Sequence, residues 1–345
     1  MIILGLESSC DDTAAALLTE RKILSSIVAS QEDTHHPYGG VVPELASREH
    51  TENICFVVER TLCEAGIDFP EIDAIAVTQG PGLVGALLVG LCYAKGLAFS
   101  LEVPLVGVNH LQGHMASIFF DHPQAEYPAL SLVVSGGHTS LFYMQSESKF
   151  EEIARTLDDA AGEALDKMAK LLGLGYPGGP VLDHLAVEGN PEAIRFSLPK
   201  ISSGELAFSF SGLKSAAARV FLEAGWRPLP SNSGVDVSAI PEEILDFIAS
   251  YQKAVVDQIL DRLKKALEGR DVASIHISGG VACNSELRCR SQKLFKEMGV
   301  PVYFPNTSLT TDNAAMIALA GARRIETSQK DSWDLKVNPN LPLYR

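Results

Sequence analysis

Two histidines, His110 and His114, stand four residues apart in the stretch GVNHLQGHMAS at 107–117. On a helix that spacing puts both rings on one face, about one turn apart. Such a pair can capture a single metal ion. Hydrolytic zinc sites with this spacing carry a glutamate directly after the first histidine, where it activates water. Here the intervening residues are Leu111, Gln112 and Gly113. A metal site without that base is poorly suited to hydrolysis. Asn109 is the expected N-cap of the helix.

A third ligand is needed. The segment SLTTDNAAMIALAGARR (308–324) predicts a helix opening at Thr311 or Asp312. Asp312 then has two readings, helix cap or metal ligand. In the second, two histidines and one aspartate form the open facial triad associated with Fe(II), with Zn as an alternative. Such a triad leaves coordination positions for a substrate.

Four turns have the composition to face a phosphate. SSCDDT follows the strand IILGLE, and VSGGHT lies inside LSLVVSGGHTSLFYM at 130–144. Each hairpin is strand, tight polar turn with a threonine, strand. ISGGVACNSELR (277–288) is strand, Gly-Gly turn and helix, with Asn284 in the first helical turn. YPGGP (176–180) precedes another helix, with Asp183 one turn in. Small residues let a backbone approach a phosphate, and turn amides can form an anion nest. A helix N-terminus adds its positive dipole end. Ordinary β-hairpins explain the first two turns equally well. The repetition suggests two related domains.

The elements that must carry these groups alternate. An amphipathic helix is predicted at about 43–65, a strand at AIAVTQ, a buried helix at about 83–98 and a strand at PLVGV. Helices near 159–173, 178–188, 205–222 and 241–268 follow, then strand SIHIS, a helix near 284–298 and strand PVYFP. This is an α/β chain with largely buried sheets. Residues 224–240, rich in Pro, Ser and Gly, read as a surface loop.

Composition narrows the function. With 345 residues, 46% of them hydrophobic, the chain can fill two domain cores. A net charge of −15 disfavours unassisted binding to polyanions, so a nucleic-acid partner requires basic patches or a second protein. Six cysteines without a C-x-x-C pair read as reduced, mostly buried thiols of a cytosolic protein. MIILGLE has no basic leader or cleavage site, and the apolar run Leu83–Phe99 contains three glycines and Lys95. A cytoplasmic location away from membranes is expected.

Together, ESSCDDT (7–13), NHLQGH (109–114), VSGGHT (134–139), GEALDKMAKLLGLGYPGGP (162–180), FSFSGLKSA (208–216), GGVACNSELR (279–288) and TDNAAMIA (311–318) closely resemble the tRNA N6-adenosine threonylcarbamoyltransferases. That family was once classed as O-sialoglycoprotein endopeptidases. The resemblance implies two duplicated actin-like (sugar-kinase-like) α/β domains around a nucleotide cleft. The first would span 1–129, rejoined by a C-terminal helix at about 311–345, and the second 130–310. It implies transfer of a threonylcarbamoyl group from threonylcarbamoyl-AMP to N6 of adenosine 37, in tRNAs reading codons that begin with A, with release of AMP.

By the same resemblance His110, His114 and Asp312 are the metal ligands, for one divalent ion per subunit, Fe(II) before Zn. The adenylate-binding positions carry over to Val133, Val134, Ser135, Gly136, Gly137, Asp166, Gly179, Asp183 and Asn284. Asp11 falls at the reaction centre, where a carboxylate could orient or deprotonate the attacking amine. The implied partners are tRNA through its anticodon loop, a paralogous inactive actin-like subunit and a small ATPase. Two departures stand out. The family's E-S-S-C-D-E-T has Asp12 here at the glutamate position. Val133 and Val134 precede Ser135 where the archaeal and eukaryotic branch has tyrosine, which points to the bacterial or organellar branch. A metal-dependent endopeptidase and a regulatory ATP-binding module of actin-like fold are the alternatives.

Overall fold

β1 (Ile2–Glu7) is apolar until its last residue and buried on both faces, as a central strand between helical layers must be. In the computed structural model, residues 1–20, 22–199, 204–229, 237–327 and 329–343 are described. The chain divides into two compact units. Unit 1 comprises Met1–Gln124 and the chain from Pro305, and unit 2 comprises Ala125–Phe304.

In unit 1, β1 is followed by β2 (Asp12–Thr19), β3 (Lys22–Ser30), a short α1 (Glu32–His35) and α2 (Pro43–Ala65). Then come β4 (Ala74–Gly80), α3 (Val84–Leu101), β5 (Leu105–Asn109) and α4 (His110–Asp121). The sheet order is β3-β2-β1-β4-β5, antiparallel through the first three strands and parallel thereafter. Strand alternation sorts the core into two layers. Leu4, Leu6, Ile75 and Val77 meet Val57, Val58 and Leu91 of α2 and α3. Ile3, Ala74, Ala76 and Val106 face Ala116 of α4 and Met316–Ala320 of the last helix.

Unit 2 repeats the plan. β6 (Ala129–Val134), β7 (Thr139–Ser146) and β8 (Lys149–Arg155) lead to α5 (Ala161–Leu172), α6 (Gly178–Ala186), α7 (Ser211–Glu223) and α8 (Glu242–Leu267). β9 (Ser274–Ser278), α9 (Ser285–Glu297) and β10 (Val302–Tyr303) complete it. Its sheet order, β10-β9-β6-β7-β8, is the unit 1 order read from the other edge, with the same antiparallel and parallel pairings. The helix α10 (Ala314–Glu326) returns to unit 1.

Several expectations change. Each hairpin gains a third antiparallel strand, β3 and β8, whose half-exposed residues blur the apolar alternation. α7 begins at Ser211 rather than 205, because the preceding segment makes a bridge from Phe208 to Thr156. α10 ends at Glu326 instead of running on to the C-terminus. The chain beyond it is tied to unit 1 by Asp331, which accepts from the Gly107 amide at 2.8 Å, and by Lys95, which donates to the carbonyls of Trp333 and Leu335. Of the predicted 224–240 loop, 224–229 carries no helix or strand, Val237–Ala239 forms a single 3-10 turn, and 230–236 lies outside the described residues.

α3 has the length and apolar composition of a membrane span. It is buried along one face only, Ala86, Leu87, Gly90, Leu91, Ala94 and Ala98, while Leu88 and Phe99 are exposed on the other. Among the described residues the cysteines form no disulfide, and they are not mostly buried. Cys55, Cys63, Cys92 and Cys289 lie on outward helix faces, and Cys10 and Cys283 are half-buried.

Candidate active site

Asn109 closes β5 and caps α4, its side-chain oxygen accepting from the Leu111 amide at 2.9 Å. Because the cap starts the helix at His110, His110 and His114 share a face. Their ring centroids are 4.7 Å apart and their planes cross at 84°. Both are buried.

The placement of Asp312 is decided by its neighbour. Asn313, not Asp312, caps α10, accepting from the Met316 amide at 2.9 Å. Asp312 therefore stays outside the helix and turns its carboxylate to the histidines. Its Oδ1 is 3.1 Å from Nε2 of His114 and 3.5 Å from Nε2 of His110. One donor atom from each of the three residues lies within 4.8 Å of the other two.

Glu7, at the end of β1, completes the cluster from below. Its Oε1 accepts from the Ser9 amide at 2.5 Å, and Oε2 accepts from the Thr78 hydroxyl at 2.6 Å. Oε2 also lies 3.0 Å from Nδ1 of His110. A carboxylate can only accept, so Nδ1 of His110 carries the hydrogen and Nε2 is the nitrogen left to face a metal. Burial lowers the proton affinity of His110, but Asp312 and Glu7 outweigh it and push its pKa up to about 9. Burial raises Glu7, and the charge and hydrogen bond of His110 more than offset this, holding it below the usual carboxylate range. His114 is pulled down by burial, and its buried Nδ1 has no hydrogen-bond partner among the described residues. His110 therefore has a carboxylate behind its Nδ1, and His114 has none there among the described residues.

The acidic turn lies beside this cluster. Asp11 occupies a bend between β1 and β2, and Asp12 opens β2 opposite Ser30. Burial, Asp312 and Asp11 raise Asp12 to about 7, against a hydrogen bond from Ser30. Burial and the same acids push the Cys10 thiol well up, which argues against a thiolate nucleophile there. Two imidazoles and the Asp312 carboxylate, with further acids beside them, make a donor set that fits a divalent cation.

Unit 2 holds all nine of the remaining site residues named from the sequence. Val133 and Val134 end β6, and Ser135-Gly136-Gly137 turn the chain into β7. The turn is closed by the Ser135 amide donating to the His138 carbonyl at 2.8 Å. At Gly162 a Cβ would lie 2.6 Å from the Ser135 carbonyl oxygen, so only glycine lets α5 start against this turn. Gly279, at φ +91°, meets β6 just as closely, with a Cβ placed 2.4 Å from the Val134 carbonyl oxygen. Asp166 accepts from the amides of Gly178 and Gly179 at 2.8 and 3.2 Å and fixes the start of α6. Asp183 accepts from Asn284 Nδ2 at 2.9 Å, from Gln252 Nε2 at 3.0 Å and from the Ser285 hydroxyl at 2.9 Å. These contacts link the three glycine turns of unit 2 to one another. A Cβ built at Gly136, Gly137 or Gly179 would meet no heavy atom within 4 Å.

Comparison with known proteins decides the family. The family model for tRNA N6-adenosine threonylcarbamoyltransferase matches residues 22–319. The enzyme of that name from Thermodesulfovibrio yellowstonii is 50% identical over 345 residues, covering 99% of this chain and 100% of its own length. The one from Geobacter sp. strain M21 is 46% identical, with 99% and 97% covered. The chain belongs to the tRNA N6-adenosine threonylcarbamoyltransferase family. It is an enzyme, a transferase that modifies tRNA.

Solved structures agree on the fold. Component A of (R)-2-hydroxyglutaryl-CoA dehydratase from Acidaminococcus fermentans superposes with a TM-score of 0.55 at 15% identity, covering 94% of this chain and 99% of its own. The ROK hexokinase of Thermus thermophilus gives 0.50 at 16% identity, with 95% and 100% covered. At such identities the likeness speaks for the architecture alone, the duplicated actin-like, sugar-kinase-like one.

Sequence reasoning missed Glu7, Gln252 and Asp158. Asp158 accepts from both hydroxyls and two amides of the Ser209-Phe210-Ser211 stretch at 2.6–3.1 Å and so holds the FSFSGLKSA motif. Glu7 had one available signal, a lone acid ending an otherwise apolar strand. Gln252 sits mid-helix and had none.

Proposed function

We propose that the chain transfers the threonylcarbamoyl group from threonylcarbamoyl-AMP to N6 of adenosine 37, in tRNAs that read codons beginning with A, releasing AMP. The observation that carries this reading is the convergence of His110, His114 and Asp312 beside an acidic turn. The linked glycine turns of unit 2 supply amides and polar side chains of the kind an adenylate needs. His110, His114 and Asp312 would hold one divalent ion, Fe(II) in first place and Zn in second. When bound, it acts as a Lewis acid and template for the threonylcarbamoyl group.

The chain's own residues do the rest. Ser135, Gly136, Gly137, Gly179, Asp183 and Asn284, with Val133, Val134 and Asp166 behind them, bind and orient the adenylate. Attack by N6 on the carbamoyl carbonyl forms the new C–N bond and breaks the bond to the AMP phosphate oxygen. The electron pair leaves with AMP, and Asp11 takes the N6 proton. AMP is a competent leaving group, so positioning and proton removal dominate the chemistry. An anticodon-loop base is already single-stranded and is presented at low cost.

The partners are tRNA, a paralogous inactive actin-like subunit and a small ATPase. Exposed Phe56, Leu88 and Phe99 on unit 1 support a protein partner there, and the charge of −15 supports help in holding tRNA. Mass spectrometry of tRNA after incubation with threonylcarbamoyl-AMP and these partners tests the reading. A mass gain equal to one threonylcarbamoyl group at adenosine 37 is expected. Unmodified tRNA from a metal-loaded, assembled enzyme would overturn it.

A further inference from the structure

Three successive carbonyls of the acidic turn are each anchored from a different element of unit 1. The Ser9 carbonyl accepts from the Leu83 amide at 2.8 Å, just before α3. The Cys10 carbonyl lies 3.0 Å from Nε2 of His50, on α2. The Asp11 carbonyl accepts from the Gln31 amide at 3.0 Å, at the end of β3. The peptide planes on both sides of the Asp11 Cα are thereby fixed. Two of the anchors are backbone groups. Only the middle one is a side chain.

His50 is fully buried and uses both ring nitrogens. A carbonyl only accepts, so Nε2 carries the hydrogen. Nδ1 is then the acceptor, and the Thr13 hydroxyl, 2.7 Å away, donates to it. One imidazole in one tautomer thus spans the turn from Cys10 to Thr13, with Asp11 and Asp12 between its two contacts. Burial lowers its pKa, which keeps the ring neutral. The duplicated fold supplies a comparison. Thr139 follows the equivalent turn of unit 2, and its hydroxyl accepts directly from the Ala161 amide, at 2.9 Å, where α5 begins. Unit 1 uses a side chain where unit 2 uses backbone.

We propose that His50 is a positioning residue for the transfer reaction, holding the Cys10–Thr13 segment so that the Asp11 carboxylate is presented in one orientation. The inference rests on the role given above to Asp11. His50 would touch neither substrate nor metal, so its loss should slow the chemical step and spare adenylate and metal binding.

The test uses the full chain with its partner subunits, measuring single-turnover transfer, adenylate affinity by titration and metal content. His50→Leu is expected to slow transfer about 10–100-fold, the range for a small displacement of a reacting group. Adenylate affinity and metal content should match the parent. His50→Gln, whose amide can still donate to the Cys10 carbonyl, should recover most of the rate, whereas His50→Asn, too short to reach it, should not. The double variant Asp11→Asn/His50→Leu should be no slower than Asp11→Asn. Parent-rate transfer by His50→Leu overturns the proposal, as does a rate loss traced to missing metal or adenylate. If His50→Leu does not fold, the comparison of Gln with Asn decides, and equal rates sink the idea. Parent-rate transfer by Asp11→Asn alone would instead remove the Asp11 role on which the proposal rests.

Discussion

Oε2 of Glu7 lies 3.0 Å from Nδ1 of His110, across 103 residues of sequence, and the same carboxylate accepts from Thr78 and Ser9. A buried carboxylate behind a metal-facing imidazole fixes the ring's tautomer and raises its basicity. Glu7→Gln keeps the shape and removes the charge. It is expected to weaken metal affinity by about 10–100-fold, the usual effect of losing such a partner. Competition titration with a chelator measures this directly, and transfer should return when metal is supplied in excess.

His110 and His114 should respond differently to removal. Either change to Ala strips the metal and suppresses transfer, since each takes one donor from the set. His110→Ala also leaves Glu7 buried beside an empty space, and an uncompensated buried charge costs on the order of 3 kcal/mol. His114 meets only the partly exposed Asp312, which keeps its contact to His110, and its Nδ1 has no hydrogen-bond partner among the described residues. Melts of the two metal-free variants should therefore place His110→Ala clearly below His114→Ala.

Metal uptake should be proton-coupled. A ligating imidazole must give up its second proton, and the carboxylates around His110 hold that proton up to about pH 9. Below that value, each unit of falling pH should weaken apparent affinity by about tenfold. Proton release, read in a weakly buffered titration at pH 7.5, gives the count. No release would show that the site is already neutral.

The two acids of the turn should separate. Asp12 is hydrogen-bonded with Ser30, across from it on β3, and Asp11 lies in the bend before the strand. Asp12→Glu should transfer at close to the parent rate. Asp11→Asn should lose far more in the transfer step than in adenylate binding, as expected for an interaction made mainly in the transition state. Single-turnover transfer alongside adenylate titration measures both losses.

Asp12 also predicts a pH dependence of stability in the metal-free protein. Its folded pKa, about 7, lies above its ordinary 3.8, so the native state binds the proton more tightly than the unfolded chain. Stability therefore falls as pH rises from about 4 to about 7, then levels off. Asp12→Asn removes this contribution. It should raise the melting temperature at pH 8 and change it little at pH 4, in thermal melts across that range.

The histidine pair and its cap were legible because the i,i+4 period and an Asn after a strand are local signals. Asp312 was legible only as a choice. Two adjacent residues could each cap α10, and a shift of one position decides which is left for the histidines. Glu7 was hidden because its partner arrives through the fold, from a helix that follows four further strands of the same sheet. β3 and β8 were missed because an edge strand with one exposed face mixes polar and apolar residues without strict alternation. His50 lay unnoticed on the buried side of a helix that read simply as amphipathic.

The matching strand orders of the two units have a consequence for how such an enzyme could arise. In each, the loop joining the first two strands sits at the end of the same antiparallel pair, and each unit packs against it with its own residues, His50 in one and Gly162 in the other. One copy carries Asp11 in that loop, Asp12 at its edge and histidines beside it, while the other carries Gly136 and Gly137. A single ancestral hairpin could thus be specialised twice, toward holding a cation and moving a proton in one copy and toward accommodating an anion in the other. Division of labour between duplicates thus drew on the turn and on the elements packed against it, α2 and α4 in one copy and α5 in the other.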